Sequence, residues 1–176
     1  MAYYLDLFSP ETYEAFSQSD RSVSGFRWRQ RNVASRIEPG DKLLCYITGI
    51  SRWVGVLEVT GRAYEDDSPL FYDEEDPFVI RFKVRPLVWL DKERAVPIKE
   101  DAVWDKLTFT RGHDKSTSTW TGKLRGSLNR LSKQDGEFLE QLLRSQVENG
   151  AVFPVDAREY ERLLTRRIRR HDKTVS

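Results

Sequence analysis

Two apolar runs separated by a short polar break stand near the centre of the chain and predict an antiparallel hairpin. The first run is Lys42–Ile47, the second covers residues 53–59, and residues 48–51 lie between them. A break of this length is typical of a hairpin with a loop longer than two residues. The first run does not alternate with polar residues, so we expect a strand that is buried on both faces.

Weaker periodic patterns on either side of this hairpin predict further strands and helices. Residues 2–8 form a strand candidate, and Ser9 with Pro10 marks the start of a helix. Residues 78–84 alternate between apolar and polar positions, which predicts a half-exposed strand that Pro86 breaks, with extended structure resuming at residues 87–90.

Helical patterns dominate the last third of the chain. Leu124, Leu128 and Leu131 recur at helical spacing and predict a helical segment. Ser132 caps a longer helix, whose apolar face is predicted to comprise Phe138, Leu139, Leu142, Leu143 and Val147 and which residues 149–150 stop. Strands around a hairpin core with peripheral helices predict the α+β class, with a mixed β-barrel or curved sheet.

The chain of 176 residues is long enough for one domain with an appended element. We place the domain at residues 1–150 and a basic helical extension at residues 151–176. The apolar side of the extension carries Tyr160, Leu163, Leu164 and Ile168, and the rest is rich in arginine. This pattern fits a solvated helix packed on the domain, a linker to another domain, or a contact with nucleic acid.

Charge is distributed unevenly although the net charge is only +1. A cluster of four arginines lies just before the hairpin (Arg27, Arg29, Arg31 and Arg36), and acidic residues dominate the segment after it. The single cysteine, Cys45, lies in the apolar run, which fits a reducing compartment. No apolar stretch approaches the ~20 residues that span a bilayer, and no signal-peptide pattern opens the chain. We therefore expect a cytoplasmic protein without a membrane partner.

Catalytic chemistry has little support in the sequence. Only His113 and His171 are near-neutral bases, and Cys45 has no charged neighbour to activate it. There is no glycine-rich phosphate loop and no zinc-ligand spacing. The acidic run at residues 73–76 is typical of a solvated loop. We predict no catalytic residue, no metal and no cofactor.

Binding chemistry is better supported, by a crowded arginine and tryptophan segment. The arginines of this segment can meet phosphates, and Trp28 among them offers a face on which a base can stack. The alternative is a set of surface salt bridges over a core tryptophan. We expect Trp89, Trp104 and Trp120 to be core residues.

The same segment and the hairpin resemble the EVE domain family of the PUA-like superfamily, which is related to YTH and ASCH domains. The resemblance covers residues 2–147 and rests on Gly25-Phe26-Arg27, Gln30-Arg31-Asn32, Pro39-Gly40-Asp41, the run GVLEV at residues 55–59, Tyr64-Glu65-Asp66, Thr119-Trp120 and Gly122-Lys123. It implies a PUA-like fold and an aromatic-walled pocket beside the hairpin that accepts a base modified by methylation. A flipped base loses its stacking partners, which aromatic faces and edge hydrogen bonds must replace.

By position, the resemblance implies a site for each part of a nucleotide. The pocket walls are Trp28, Trp53, Tyr64 and Phe71, and the polar edge contacts are Ser9 and Asn32. The phosphate contacts are Arg27, Arg29, Arg31, Arg36, Lys123 and Arg125. Trp53 could instead be a core residue and not a pocket wall, because it begins a buried strand.

The working hypothesis is a non-enzymatic reader domain that binds a modified, methylated base in DNA or RNA. One alternative is a general PUA-type RNA-binding module without selectivity for modified bases. The other is an enzyme or small-molecule binder that uses the same cavity. We expect a monomer with a nucleic-acid partner, working beside a nuclease or another effector domain.

Overall fold

Eight strands and five α-helices make up the part of the chain that the computed structural model describes, residues 1–71 and 77–174, with side chains through residue 165. The strands are β1 (Tyr3–Phe8), β2 (Val23–Phe26), β3 (Lys42–Ile47), β4 (Arg52–Val59), β5 (Tyr64–Glu65), β6 (Ile80–Trp89), β7 (Val96–Pro97) and β8 (Arg130–Leu131). The helices are α1 (Pro10–Gln18), α2 (Arg31–Ala34), α3 (Asp101–Trp104), α4 (Lys133–Asn149) and α5 (Ala157–Thr174). The acidic run at 73–76 lies outside the described residues.

The strands form one curled sheet in the order β2-β6-β4-β3-β1-β8, with β5 paired to β6 and β7 to β4. Strands β1 and β3 run parallel, and the other neighbours are antiparallel. The curl brings β1 and β2 together although three strands separate them in the sheet. The Ser24 hydroxyl on β2 donates a hydrogen bond of 2.7 Å to the Asp6 carboxyl on β1. The predicted α+β class with a curved sheet and peripheral helices is confirmed.

The central hairpin of β3 and β4 is present as predicted. Residues 43–47 of β3 are all buried, which confirms a strand covered on both faces. The pairing register shifts between Cys45 and Tyr46, because β4 carries one extra residue, Val54, at this point. Such a bulge changes which face of the sheet the next residue of the strand occupies.

The prediction that Pro86 breaks its strand is wrong, because β6 runs without a break through Trp89. Pro86 is paired with Leu57 at a second register shift, where β6 contains one extra residue. Proline lacks the N–H that a regular ladder needs, and a bulge is one of the few places in a sheet that tolerates it.

The helical segment predicted from Leu124, Leu128 and Leu131 is also wrong. Leu124 ends a short 3-10 turn, Leu128 has a positive φ of 64°, and Leu131 lies in β8. Leu5 of β1 donates to the Asn129 carbonyl and accepts from the Leu128 amide. Pairing with the free edge of β1 therefore overrides a spacing that matches a helix.

Helix α4 begins and ends where the sequence predicts and covers one face of the sheet. The Ser132 hydroxyl accepts from the Asp135 amide, which caps the helix. Leu139 and Leu143 are fully buried, whereas Val147 is exposed and does not belong to the packed face. At Gly136 a Cβ atom would approach the Tyr3 ring to 2.2 Å, so only glycine permits this contact.

Helix α5 is fixed to the rest of the fold at its first turns. The buried guanidinium of Arg52 donates to the carbonyls of Phe153 at 2.6 Å and Pro154 at 2.9 Å, just before the helix. The Tyr160 hydroxyl donates to Glu14 of α1 at 2.6 Å. Leu163 approaches Gly49 in the hairpin loop. The beginning of α5 therefore packs on α1 and the hairpin.

A buried carboxyl group lies where the curl of the sheet brings β1 and β2 together. Asp6 is fully buried, and burial raises its pKa to about 7 while the hydrogen bond from Ser24 opposes the rise. Between its ordinary pKa and about 7, the folded protein retains a proton that the unfolded chain releases. The free energy of unfolding must therefore fall as the pH rises through this window.

We expect Asp6→Asn to remove this dependence, because the amide has the same shape and no charge. The variant should be more stable than the parent by roughly 2–4 kcal/mol above pH 7 and should lose this advantage towards pH 4. Urea unfolding at several pH values measures the difference. The same substitution at the exposed Asp105 is the control. Parallel pH profiles for the parent and Asp6→Asn would contradict the assignment.

Candidate nucleic-acid interface

An aromatic cluster fills the end of the curled sheet beside α1. Its centre is Trp89 at the end of β6, whose ring lies 4.6 Å from Phe16, 5.4 Å from Phe8 and 5.6 Å from Tyr13 between centroids. The indole N–H of Trp89 donates to the Ser17 hydroxyl at 2.9 Å. These contacts hold α1 against the inner face of the sheet.

The position of Trp89 depends on a glycine in the neighbouring strand. Gly55 of β4 is paired with Trp89, and a Cβ at residue 55 would lie 2.6 Å from Cε3 of the indole. Cys45 is the partner of Gly55 on β3, and Asp6 is the partner of Cys45 on β1. One row of paired residues thus runs across the sheet from the buried carboxyl to the aromatic cluster.

The cluster extends into the segment that joins β5 to β6. Phe71 contacts Phe16 at 6.5 Å and Phe78 at 5.5 Å, both with edge-on geometry. The Arg27 guanidinium lies 4.5 Å from the Phe78 ring centroid, a cation–π contact. The two described ends of this segment therefore bind to α1 and to the end of β2.

Arg81 of β6 fixes both ends of the same segment. Its guanidinium donates to the Phe78 carbonyl at 3.0 Å, to the Ser68 hydroxyl at 3.2 Å and to the Ser68 carbonyl, and lies 3.4 Å from the Asp66 carboxylate. The Asp66 amide also donates to the Val79 carbonyl at 2.9 Å. Arg81 is buried, and its guanidinium joins the two ends of the segment through these contacts.

Trp28 forms the opposite wall of a groove beside these fixed ends. Trp28 is 46% exposed, so about half of its surface is open to solvent. The groove has a volume of about 630 Å³ and is lined by Trp28, Glu65, Asp66, Asp67, Pro77 and Val79. The Arg31 guanidinium lies 4.9 Å from the Trp28 ring centroid. We call this depression the Trp28 groove.

The Trp28 groove has acidic walls. Glu65 and Asp67 are exposed, and Asp66 accepts hydrogen bonds from the hydroxyl and amide of Ser68, which lower its pKa. A nucleic-acid phosphate would be repelled by this lining, whereas a donor group on a base edge would be attracted. The charge of the groove lining is therefore unfavourable for a phosphate.

Tyr64 lines an adjacent groove and not the Trp28 groove. The adjacent groove measures about 330 Å³ and is lined by Arg31, Ser35, Ile37, Arg62, Ala63, Tyr64, Glu65 and Ile80. Glu65 lines both depressions, so the two grooves adjoin at this residue. Phe71 is a member of the aromatic cluster. The structure therefore distributes the predicted pocket walls over neighbouring sites and does not form a single cage from them.

The assignment of Trp53 as a pocket wall is corrected, because its side chain is completely buried. Its ring contacts Tyr46 at 5.0 Å. Lys42, on the same face of β3 as Tyr46, binds Glu140 of α4 at 2.8 Å. Trp53 thus lies on the α4 side of the sheet, in the core position considered as its alternative.

The two predicted polar edge contacts have different environments. The Ser9 hydroxyl accepts from the Thr12 amide at 3.1 Å and caps α1, so its oxygen already has a structural role. Asn32 is exposed on α2, four residues after Trp28 in sequence. Of the two, Asn32 is the side chain that is open to solvent beside the arginine segment.

The predicted phosphate contacts occupy two regions. Arg29, Arg31 and Arg36 are exposed around α2. Lys123 donates to the Arg130 carbonyl at 2.6 Å, and Arg125 donates to the Thr121 hydroxyl at 3.2 Å. These two residues precede β8, at the edge of the sheet where the Leu7 amide donates to Ser127. The basic residues thus lie at opposite edges of the sheet order.

Sequence reasoning missed Arg81 and placed Trp89 in the core. Arg81 occupies a polar position in an alternating strand, so the pattern indicates solvent exposure; no local signal marks it as buried. Trp89 is partly exposed at the centre of the aromatic cluster. Its pairing with Gly55 becomes apparent only once the register of the strands is known.

The curled sheet, the helices on its faces and the aromatic residues at its end define a domain of the PUA-like class. The sequence model of the EVE domain matches residues 2–166, so the chain belongs to the EVE domain family. A UPF0310 protein of Pyrococcus abyssi is 27% identical over 154 residues, which cover 81% of this chain and 100% of that protein. A UPF0310 protein of Pyrococcus horikoshii is 24% identical, over 81% of this chain and 99% of its own.

Solved structures share the fold at low sequence identity. The Pho92 YTH domain, in complex with m6A, has a TM-score of 0.59 at 12% identity and covers 86% of this chain and 87% of its own. Human THYN1, in complex with DNA containing 5-methylcytosine, has a TM-score of 0.53 at 15% identity over 81% of this chain and 97% of its own. These likenesses establish the fold.

The described residues contain neither a metal-binding cluster nor a membrane-spanning helix. No group of three or more histidine, cysteine or carboxylate side chains among them has a metal-binding arrangement. Within the same residues, no helix combines the length and apolarity needed to cross a bilayer.

We expect Arg81→Lys to lower the free energy of unfolding by about 1–3 kcal/mol, because a lysine amine cannot reproduce the forked contacts of the guanidinium. Urea unfolding measures the change. Arg85→Lys is the matched control: Arg85 lies on the same strand but is exposed, and its one ion pair among the described residues is with Glu58 at 2.9 Å. Its replacement should change stability by less than about 0.5 kcal/mol. Equal effects of the two substitutions would refute the role of Arg81.

Proposed function

We propose that this chain is a non-enzymatic nucleic-acid-binding domain that holds a modified, flipped base against Trp28. The observation that carries the proposal is a half-exposed tryptophan ring that opens onto a groove of about 630 Å³. A base outside its helix needs an aromatic face to replace the stacking it has lost. Trp28 supplies such a face, and Arg31 covers part of the same ring.

The groove chemistry favours a base that carries an amino group. Carboxylates accept hydrogen bonds from the exocyclic amine of cytosine, and the exposed Glu65 and Asp67 are acceptors of this kind. Pro77 and Val79 contribute apolar surface to the same groove. A methyl group placed against such surface adds about 1 kcal/mol by area. Methylation would then increase affinity moderately and not act as an absolute switch.

Family membership and the solved relatives support a nucleic-acid partner. The chain belongs to the EVE domain family, and proteins of the same fold have been solved with m6A and with 5-methylcytosine DNA. The exposed Arg29 and Arg36 are close in sequence to Trp28 and are suited to contact the phosphates that flank a bound base. DNA and RNA are both compatible with these features.

The environments of the reactive side chains favour binding over catalysis. Burial raises the pKa of the Cys45 thiol well above its ordinary value, and a protonated thiol is a poor nucleophile. His113 is exposed, with Nδ1 3.3 Å from the Thr119 hydroxyl. Neither residue lines the Trp28 groove.

A second candidate function is general nucleic-acid binding without selectivity for the base. The observation that favours it is the distribution of the predicted walls: Trp28 and Tyr64 line two neighbouring grooves and Phe71 packs elsewhere. One exposed ring can stack with any base. Equal affinity for methylated and unmethylated strands would support this second function.

We expect Trp28→Ala to weaken the binding of strands with a methylated base by roughly 1–3 kcal/mol, the scale of one lost stacking partner. Fluorescence anisotropy with DNA and RNA oligomers, each with and without 5-methylcytosine or N6-methyladenine, measures the effect. Trp28→Phe is the control, because it retains an aromatic face. Wild-type affinity in Trp28→Ala, or equal losses in both variants, would exclude Trp28 as the stacking face.

We expect the double variant Arg29→Gln and Arg36→Gln to weaken the binding of modified and unmodified strands alike. Each lost phosphate contact should reduce the slope of log affinity against log salt concentration by about 0.7–0.9. The ratio of affinities for modified and unmodified strands should not change, because phosphates carry no base identity. An unchanged salt slope would show that these side chains do not meet phosphate.

A further inference from the structure

The charge of the chain is divided between its body and its last helix. Residues 157–176 contain seven arginine and lysine residues and three acidic residues, so they carry a net charge of +4. The remaining residues, 1–156, contain 22 basic and 25 acidic residues and have a net charge of −3. A body of this charge repels a polyanion, and α5 with the two residues after it reverses the sign.

The basic residues of α5 concentrate on one side of the helix. With 100° per residue, positions 158, 162, 166, 169 and 173 fall within an arc of about 80°, centred opposite Tyr160. All five are arginine or lysine. They are distributed over about 22 Å of helix length, at 1.5 Å per residue. The helix therefore carries a basic stripe, which we define as Arg158, Arg162, Arg166, Arg169 and Lys173.

In its first turns, α5 packs its apolar side against the rest of the fold. The beginning of the basic stripe lies on the opposite side of the helix. Tyr160 is buried and binds Glu14, and Leu163 approaches Gly49. Arg158 and Arg162 are exposed, and among the described residues neither forms an ion pair with a carboxylate. The beginning of the stripe thus faces solvent while the opposite side of the helix is packed.

Contacts through α1 connect α5 to the wall of the Trp28 groove. Glu14 of α1 accepts from Tyr160, and Phe16 of the same helix contacts Phe71 at 6.5 Å. The segment that contains Phe71 has its two ends in the groove wall. The Arg52 hydrogen bonds hold the residues just before α5 at 2.6 and 2.9 Å. The first turns of α5, which carry Arg158 and Arg162, are therefore linked to one wall of the Trp28 groove through α1 and Phe71.

We propose that the basic stripe of α5 binds the sugar-phosphate backbone of the nucleic acid whose base enters the Trp28 groove. The proposal rests on the proposed function for the choice of partner. Charge complementarity favours a polyanion, because a duplex presents one negative charge per about 1.7 Å along its axis. The groove, with acidic walls, reads the base, and α5 supplies attraction that is independent of sequence.

The test uses the full chain with Arg158, Arg162, Arg166 and Arg169 replaced together by glutamine, and a matched variant with lysine at the same positions. Glutamine, lysine and arginine have similar helix propensities, so α5 should persist in both variants. The probes are a labelled unmodified 20-nucleotide DNA single strand, its duplex, and the same strand with one 5-methylcytosine. Anisotropy titrations at salt concentrations from about 50 to about 200 mM give the affinities and the salt slopes.

We expect the glutamine variant to lose at least about tenfold in affinity at low salt for every strand, and its salt slope to fall by roughly 2–3.5. The lysine variant should retain the slope, and the preference for the methylated strand should be unchanged in both. Unchanged slopes in the glutamine variant would overturn the proposal. Phosphatidylserine vesicles are titrated in parallel. A loss confined to vesicle binding would also overturn the proposal, because the stripe would then be a membrane contact.

The failure of the proposed function would give a different result. If Trp28→Ala leaves the preference for methylated strands unchanged while the glutamine variant loses salt-dependent binding, base reading at Trp28 is refuted and the stripe is supported. If the preference depends on Trp28 but the salt slope does not depend on α5, the proposed function stands and the stripe is refuted.

Discussion

The close approach of Trp89 to Gly55 is the contact on which the rest of the structure depends. A side chain at residue 55 would collide with the indole, so glycine is what allows the tryptophan ring to approach β4 this closely. Trp89 then holds α1 through Phe16 and through the Ser17 hydroxyl. Because α1 contacts both α5 and the segment between β5 and β6, this one packing arrangement positions the elements around the candidate site.

The candidate site combines a fixed wall with an open ring. Arg81 and the hydrogen bond from Asp66 to Val79 hold the ends of the wall, so the groove is preorganised before a ligand enters. Trp28 remains half-exposed opposite this wall. The acidic lining of the groove and the exposed arginines around α2 are neighbouring surfaces of opposite charge. Under the proposed function, this division lets base selectivity and backbone affinity vary independently.

The hairpin, α4 and the α+β class could be predicted from the sequence because apolar runs and capping residues determine them locally. Errors arose where distant partners decide the structure. Pro86 is accommodated by a bulge against β4, and Leu128 and Leu131 pair with β1 in spite of their helical spacing. For the site, Trp28 was found from its arginine neighbours. The burial of Trp53 and Arg81 follows from strand register, which no local pattern reveals.

The central claim, that the Trp28 ring receives the base, can be tested directly by nuclear magnetic resonance. The chain has five tryptophans, so its ¹⁵N-labelled form gives five indole N–H signals, and Trp28→Phe assigns the one of interest. We expect an oligomer that contains one methylated base to shift the Trp28 signal at a lower concentration than the unmodified oligomer does. The signals of the buried Trp53 and Trp104 should remain in place. A Trp28 signal that does not move while Trp89 shifts would contradict the account and place the base in the aromatic cluster.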